Sequence, residues 1–125
     1  MLSIEVQDRQ GLVDIILGED LDAPSISTVT GPCLRVLQQR PEMLVVQVDG
    51  IQFIDSRGVR FLMALVEEAE AHNCACAVVT GGNPRIHRVL QILRLEEHLP
   101  VYLTRASALR ELEERGSPRP RRRLS

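Results

Sequence analysis

The sequence has very few aromatic residues and no lysine. Its 125 residues include no Trp, one Tyr and two Phe, whereas the apolar fraction reaches 44%. A chain of this length is expected to form one domain, and the core of that domain must be aliphatic. All fifteen basic residues are Arg, which indicates a GC-rich genome and carries no functional information by itself.

Long apolar stretches are also missing. No run approaches the roughly 18–20 residues that a membrane-spanning helix needs. The N-terminus lacks the cationic and apolar regions of a signal peptide. The three cysteines, Cys33, Cys74 and Cys76, are odd in number and do not have the spacing of a disulfide framework. These absences predict a cytoplasmic protein without a transmembrane segment.

The formal charge of −2 conceals an uneven distribution. Residues 1–115 carry eleven Arg and seventeen acidic residues, a net charge of −6, whereas residues 116–125 carry four Arg and no acid. An acidic body lacks the clustered cations that phosphate contacts need, so nucleic acid is not expected as a direct partner. The segment 116–125 contains two Pro and has no periodicity, which predicts a disordered Arg/Pro-rich tail after a domain spanning 1–115.

The apolar pattern predicts strands that alternate with helices. Two aliphatic strands, Leu2–Val6 and Leu12–Leu17, come first, and a helix capped by Asp22 or Ser25 follows them up to Pro41. The remaining elements are, in order, a buried strand Leu44–Val48, a helix with one apolar face, a strand Cys76–Thr80, a helix from Asn83-Pro84 to Leu93, a strand Leu99–Leu103 and a helix Ser107–Arg115.

The resulting order is β-β-α-β-α-β-α-β-α, with about five strands and four helices. Strands alternating with helices imply a mostly parallel sheet, so the predicted fold class is a single α/β domain. Ligands and partners of such sheets bind at the carboxyl ends of the strands. The helix after the central strand has its apolar residues at helical spacing: Val59, Leu62, Met63, Val66 and Ala69.

Asp55, Ser56, Arg57 and Gly58 occupy the junction between the central strand and its helix. An acid and a hydroxyl before an apolar run are typical of a helix cap, here with Ser56 as the N-cap. The capping box is absent because Val59 stands where its Glu would be. The junction also lies at the sheet edge where sites form, and the Ser56 hydroxyl is expected to point outward. A cap and a functional site both remain possible from the residue types alone.

Other kinds of site have weaker support. Cys74 and Cys76 lack the second ligand pair of a structural zinc site, and we expect them to be buried on one face of a strand. The three histidines lie in separate predicted elements. The segment GGNPR is similar to a phosphate-binding loop but lacks its Lys-Ser/Thr, and no Gly-x-Ser-x-Gly motif occurs. No metal, cofactor or enzymatic activity is therefore expected, and a small hydrolase using Asp55 and Ser56 is the weakest interpretation.

The stretch FIDSRGVRFLMAL resembles the motif F-x-D-S-[ST]-G-[LV]-x-x-[LV] of the STAS domain of bacterial anti-sigma factor antagonists. Two further stretches are similar to the family. ILGEDLDAPSISTV matches its L-x-G-x-L-D segment, with one extra residue between Gly18 and Leu21, and GGNPRIHRVLQILRLEEHLPVYLT matches its third helix and last strand. Together these stretches extend the resemblance over residues 4–112.

The resemblance implies a phosphorylation switch at Ser56. In the family, the Ser after the Asp is phosphorylated by a partner kinase that is also an anti-sigma factor, and a serine phosphatase reverses the modification. Gly58 is expected to allow close approach by another backbone, whereas Arg57, Arg60 and Ala64 share the polar side of the helix with Phe61 at its border. The implied partner surface comprises Asp22, Asp55, Ser56, Arg57, Gly58, Arg60 and Phe61.

Arg57 departs from the family motif, which has Ser or Thr at this position. An Arg there can pair with a phosphate, alter kinase recognition or mark a member whose Ser is not used. Two functions are consistent with this. One is an anti-sigma factor antagonist, a monomer or weak dimer that binds an anti-sigma factor serine kinase while unphosphorylated and so releases a sigma factor. The other is an accessory STAS subunit of a lipid-transport ABC complex or a stress-sensing assembly.

Overall fold

The computed structural model describes residues 2–7, 11–18 and 20–115, and the predicted tail, 116–125, lies outside them. Within the described residues, strands and helices follow the predicted order. The strands are β1 (Leu2–Gln7), β2 (Leu12–Leu17), β3 (Met43–Gln47), β4 (Ala75–Val79) and β5 (Val101–Tyr102). The helices are α1 (Ala23–Gln38), α2 (Ser56–Ala71), α3 (Pro84–Ile92) and α4 (Arg105–Arg115), with a short 3-10 turn at Leu95–Glu97.

The strands form one sheet in the order β1-β2-β3-β4-β5. β1 and β2 are antiparallel, with Ile4 opposite Ile15, whereas β2, β3, β4 and β5 run parallel. The predicted single α/β domain with a mostly parallel sheet is confirmed. The carboxyl ends of β2, β3 and β4 consequently lie along one edge, and the chain enters α1, α2 and α3 from that edge.

Alternating strand side chains separate into two apolar clusters, one on each face of the sheet. Helices α1, α2 and α3 pack on one face, where Leu37, Leu62 and Ile86 are each 1% exposed. The predicted inner face of α2 is confirmed, since Val59, Leu62, Val66 and Ala69 are buried while Met63 is half-buried. The second face packs on α4 through Leu12, Met43, Val45, Ala75, Ala77, Val79, Ala108 and Leu112.

A buried carboxylate holds α4 over the sheet. Asp14 in β2 is 1% exposed. Its Oδ1 accepts hydrogen bonds from Arg105 Nε at 2.9 Å and Gln47 Nε2 at 3.0 Å, while Oδ2 accepts one from Arg105 Nη2 at 2.7 Å. This bidentate pair is the geometry that compensates best for removing a carboxylate from water. Hydrogen bonding to Asp14 raises the pKa of the Arg105 guanidinium above its ordinary value.

Several predicted boundaries are wrong. The central strand runs from Met43 to Gln47, one residue earlier than the predicted Leu44–Val48, and residues 48–55 separate it from α2. β5 has two residues, not five, because only Val101 and Tyr102 pair with β4. α4 begins at Arg105 because Thr104 Oγ1 accepts a hydrogen bond from the Ser107 N–H at 3.1 Å, in the manner of an N-cap.

Two helices begin where the sequence predicts, and of the two cap candidates for α1, Asp22 and Ser25, the structure selects Asp22. Asp22 is the N-cap of α1, where its Oδ1 accepts a hydrogen bond from the Ser25 N–H at 3.1 Å. Asn83 is the N-cap of α3 and precedes Pro84 at the first helical position. Among the described residues, none of the helices combines the length and apolar character that crossing a bilayer requires.

Candidate functional site

The loops that precede α1 and α2 are hydrogen-bonded to each other. The Leu21 N–H donates to the Phe53 carbonyl at 2.8 Å, and the Asp55 N–H donates to the Leu21 carbonyl at 3.3 Å. These bonds form a parallel bridge between Leu21 and Ile54, so the next residues, Asp22 and Asp55, lie in matching register. The two acidic caps, and with them the amino ends of α1 and α2, are therefore brought side by side.

Asp55, not Ser56, is the N-cap of α2. The Asp55 backbone is extended, with φ −113° and ψ −172°, and its Oδ1 accepts hydrogen bonds from the Arg57 and Gly58 N–H groups at 3.0 Å each. The prediction that Ser56 caps the helix is wrong, because the carboxylate already satisfies the amides that a cap must reach. The residue three positions after the true cap is Gly58, so the capping box is absent for a different reason from the one predicted.

Ser56 is the first residue of α2 and is exposed. Its hydroxyl makes no hydrogen bond to any residue that the structure describes. The expected outward-facing hydroxyl is therefore present, but it has no capping task. Asp55 serves as the cap, and Ser56 is left exposed beside it; the predicted functional role of Ser56 stays a prediction.

Gly58 lies beneath the site and not on its surface. It is buried, and a Cβ built on it would clash with the Leu21 carbonyl and lie 2.6 Å from Leu21 Cβ and 2.8 Å from Ile54 Cγ1. The expected close approach of another backbone is thus made within the chain, by the loop before α1. Gly58 cannot touch a partner directly, and its role in the predicted partner surface is to let α2 sit against Leu21.

The remaining predicted residues of α2 lie along a groove beside α1. Arg57 and Arg60 are exposed, and Phe61 is half-buried. They line a shallow depression of about 340 Å³ whose other wall includes Ala23 and Ile26 of α1. No ion pair engages either guanidinium within residues 2–7, 11–18 and 20–115. Two cations without an ion-pair partner among the described residues therefore lie near Ser56, Arg57 directly after it and Arg60 about one helical turn on, with the Phe61 ring beside them.

Phe53 is a surface residue that was not predicted as part of the site. Its side chain is 51% exposed, two residues before Asp55, while the neighbouring Ile54 is buried. The alternation of Phe53, Ile54 and Asp55 in an extended segment was the signal that could have found it, because neighbouring side chains then point to opposite sides.

The loop between β3 and α2 is fixed by Asn83, whose Nδ2 donates to the Asp49 carbonyl at 3.0 Å and the Ile51 carbonyl at 2.7 Å.

Comparison with protein families identifies this arrangement. The family model of the STAS domain matches residues 3–108. The chain belongs to the STAS domain family. The family assigned from FIDSRG and its companion stretches is thereby confirmed, over nearly the whole of the predicted domain.

The STAS domain is similar to proteins named as anti-sigma factor antagonists. It is 28% identical over 116 residues to the anti-sigma F factor antagonist of Paenibacillus polymyxa, covering 90% of this chain and 96% of the relative. A crystal structure of an anti-sigma factor antagonist from Mycobacterium paratuberculosis superposes with a TM-score of 0.78 at 22% identity, covering 90% of this chain and 95% of that one. The Bacillus cell fate determinant SpoIIAA in its phosphorylated form superposes with a TM-score of 0.67 at 18% identity, covering 90% and 99%.

The cysteines of this STAS domain are core residues. Cys33, Cys74 and Cys76 are free thiols and all three are buried. Cys74 precedes β4 and does not lie within it, but it packs in the same cluster as Cys76, as predicted. Burial raises the pKa of the Cys33 thiol to about 11 and that of Cys74 to about 12, and it also raises the pKa of Cys76. Protonated, buried thiols are poor nucleophiles and poor ligands.

The described residues of the STAS domain do not form a metal site, and two of the three histidines have structural partners. The described residues contain no cluster of three or more His, Cys, Asp or Glu side chains that could hold a metal ion. His87 has a structural partner, since its Nε2 lies 2.9 Å from the Oγ1 of the buried Thr80. His72 places Nδ1 2.8 Å from the Glu68 carbonyl at the end of α2. Both contacts anchor helix ends.

Proposed function

We propose that this STAS domain is a phosphorylation-switched anti-sigma factor antagonist. In its unphosphorylated form it binds an anti-sigma factor serine kinase, which frees a sigma factor, and phosphorylation of Ser56 dissociates the complex. The observation that carries the proposal is the position of Ser56, which is exposed at the first residue of α2 while Asp55 provides the cap. A serine phosphatase returns the protein to its binding form.

The similar proteins support this assignment. The Paenibacillus polymyxa relative is named for antagonism of anti-sigma F factor, and one structural relative was determined in a phosphorylated form. The FIDSRG motif supplies a Ser directly after the Asp, which is where the resemblance places the phosphorylated residue. The function is accordingly regulatory, by protein contact within the cytoplasm, and not enzymatic.

The electrostatics of the site favour a switch that leaves the fold intact. A phosphate on Ser56 adds about −1.5 to −2 charges. The amino end of α2 favours an anion by about 0.3–1 kcal/mol, and Arg57 and Arg60 are free to approach it. The Asp55 carboxylate opposes the phosphate. The domain therefore tolerates the modification, while a partner that packs on this surface meets two new negative charges in its contact.

The proposed kinase-binding surface surrounds Ser56. It comprises the acidic caps of α1 and α2, the cations of α2 and two aromatic side chains, namely Asp22, Asp55, Arg57, Arg60, Phe53 and Phe61. Arg and aromatic residues are enriched among the residues that dominate binding energy. Phe53 joins this surface because of its exposure, and Gly58 supports it from below.

Arg57 is the observation that favours the alternative function. The family motif has Ser or Thr at this position, and a STAS domain that serves as an accessory subunit of a transporter or a stress-sensing assembly has no need of a kinase-recognition sequence. In that case Ser56 is an ordinary solvent-exposed residue. Copurification separates the two functions, because a small ATP-binding kinase supports the switch and a transporter ATPase supports the accessory role.

The deciding experiment measures affinity for the anti-sigma factor serine kinases of the source organism by titration calorimetry. Ser56→Ala should retain wild-type affinity but resist release when ATP is added. Ser56→Asp should weaken the complex about tenfold or more, since a fixed charge enters the contact. Thr28→Asp is the matched control, because Thr28 is exposed on α1 outside the proposed surface and should leave affinity unchanged. Wild-type affinity of Ser56→Asp for every kinase tested would refute the switch.

A further inference from the structure

A single groove runs along the surface between α1 and α2. The depression of about 340 Å³ beside Arg57 and a second one of about 400 Å³ both include Phe61 and Ala64 in their walls. The two depressions are thus adjacent along α2, and we call them together the α1–α2 groove. Its middle is apolar, and Leu34 of α1 is 40% exposed there.

The two ends of the α1–α2 groove carry opposite charges. Arg57 and Arg60 line one end, and Glu67 and Glu68 line the other. All four side chains are exposed and, within the described part of the chain, none takes part in an ion pair. α1 and α2 both begin at the Arg end, so their positive dipole ends reinforce the Arg charges and their negative ends reinforce the Glu charges.

The spacing of these residues along α2 is symmetric. Arg57 lies four residues before Phe61, and Glu68 lies four residues after Ala64. These positions fall on one stripe of a helix with 3.6 residues per turn, over a rise of roughly 16 Å. If the stripe is reversed end to end about its midpoint, Arg57 meets Glu68 and the large Phe61 meets the small Ala64. Arg60 then lies two residues, roughly 3 Å along the helix axis, from the Glu67 of the reversed copy. A surface that matches its own reversed copy is what a two-fold symmetric contact requires.

We propose that a second copy of this chain occupies the α1–α2 groove, forming a symmetric dimer in which the two α2 helices cross antiparallel. Arg57 of each copy faces Glu68 of the other, and each Phe61 packs over the Ala64 of its partner. Arg60 lies two residues out of register with the partner's Glu67, an offset that two long side chains can span. A foreign helix would need acids at one end and bases at the other, whereas the chain itself supplies both. The contact is small and its ion pairs are solvated, so the dimer is weak and depends on concentration and on salt.

The dimer gives the proposed function a second level of control. Arg57, Arg60 and Phe61 would be covered in the dimer, so a copy in the dimer is not available to the kinase. This consequence rests on the proposed function, but the dimer itself does not. Kinase affinity and self-association are separate measurements, so one proposal can fail while the other stands.

Sedimentation equilibrium on a pair of charge-reversed variants tests the dimer. Variant one, Arg57→Glu with Arg60→Glu, carries only acids in the groove; variant two, Glu67→Arg with Glu68→Arg, carries only bases. Wild type should rise with concentration from the 14.0 kDa of the chain towards twice that mass at low salt. Each variant alone should stay monomeric, and their equimolar mixture should dimerise at least as tightly as wild type. Helical circular dichroism confirms that each variant is folded.

The matched control is Glu113→Arg with Glu114→Arg on α4, where both residues are exposed. It makes the same charge change on the opposite side of the sheet and should leave self-association unchanged. Three results overturn the dimer: wild type that remains monomeric up to millimolar concentration, variants that each still self-associate, or a mixture that does not. The first of these would leave the α1–α2 groove to a different protein.

Discussion

Gly58 packs directly against the backbone of Leu21. This contact fixes the distance between α2 and the loop that leads into α1, and it brings the two acidic caps, Asp22 and Asp55, to the same edge. No other residue type fits, because the Leu21 carbonyl and the Ile54 side chain occupy the space of a Cβ. The glycine of the FIDSRG motif is therefore a structural requirement of the site and not part of its contact surface.

Gly58→Ala should destabilise the domain by about 1–3 kcal/mol, as overpacked core substitutions do, despite the better helix propensity of Ala. The measurement is urea unfolding monitored by circular dichroism. Gly31→Ala in α1 is the matched control, because its Cβ would meet only Arg35 Nη1 at 3.5 Å. That variant should gain up to about 1 kcal/mol from helix propensity. Equal effects of the two substitutions would contradict the packing role of Gly58.

Leu62 carries the contact between α2 and the sheet. It is 1% exposed within the larger apolar cluster. Leu62→Ala should cost about 2–5 kcal/mol of the free energy of unfolding, measured by chemical denaturation. Ala64→Ser, on the exposed side of the same helix, should cost under about 1 kcal/mol. If Leu62→Ala lowered the free energy of unfolding by only a few tenths of a kcal/mol, α2 would present a different face to the core.

The Asp14–Arg105 pair should be far more sensitive to breaking than to replacement. Arg105→Ala leaves a carboxylate that is 1% exposed and keeps Gln47 as its one hydrogen-bond partner among the described residues, and should cost about 3 kcal/mol or more. Replacing both residues, Asp14→Leu with Arg105→Met, removes the buried charge and should recover most of that loss. A double variant no more stable than Arg105→Ala alone would show that the uncompensated charge is not the source of the cost.

Alkaline pH should weaken the fold through the buried thiols. In the unfolded chain the thiols ionise near pH 8.5, but in the folded chain the pKa is about 11 for Cys33 and about 12 for Cys74. Above pH 9 the unfolded state therefore holds fewer protons than the folded state, and the free energy of unfolding falls by on the order of 1 kcal/mol per pH unit for each thiol until the folded-state pKa is reached. Below pH 8 the thiols contribute no slope.

Cys74→Ala provides the comparison for this pH dependence. Its free energy of unfolding should decline less steeply than that of wild type between pH 9 and pH 11, whatever its stability at neutral pH. Parallel slopes for the two proteins would contradict burial of a protonated thiol at this position.

Local patterns made most of the fold predictable. The apolar spacing of Val59, Leu62 and Val66 defines the inner face of α2, and Asp22 and Asn83 mark helix starts through side chains that accept from free N–H groups. The ion pair of Asp14 and Arg105 could not be anticipated, because it joins residues 91 positions apart in sequence. The path of residues 48–55 could not be anticipated either, because Asn83, which is distant in sequence, holds this segment in a loop.

The sequence predicted where the candidate site lies, but it did not determine which residue caps α2 or that Gly58 is buried. The residues Ser56, Arg57, Arg60 and Phe61 were placed correctly on the exposed side and border of α2. The choice of cap between Asp55 and Ser56 depended on which oxygen reaches the Arg57 and Gly58 amides, a matter of backbone geometry that residue type does not determine. Burial of Gly58 depended on the Leu21 loop, which is distant in sequence.

The switch should also be separable from stability. Because Asp55 caps the helix, Ser56→Ala should change the free energy of unfolding by less than about 0.5 kcal/mol, as for other exposed positions. Asp55→Ala should cost about 0.5–2 kcal/mol through loss of the cap. Thermal unfolding of the two variants beside wild type measures both effects. If Ser56→Ala lowered the free energy of unfolding as much as Asp55→Ala does, Ser56 and not Asp55 alone would contribute the cap.

Intact-mass spectrometry after incubation with ATP and each anti-sigma factor serine kinase of the source organism tests the central claim most directly. Wild type should gain the mass of one phosphate with at least one kinase, fragmentation should place that phosphate on Ser56, and Ser56→Ala should gain none. Asp55→Asn keeps a side chain that can cap α2, so it serves as the control for an effect of the helix cap on phosphorylation. Wild type that gains no phosphate with any of these kinases, or gains it equally in Ser56→Ala, would contradict the switch.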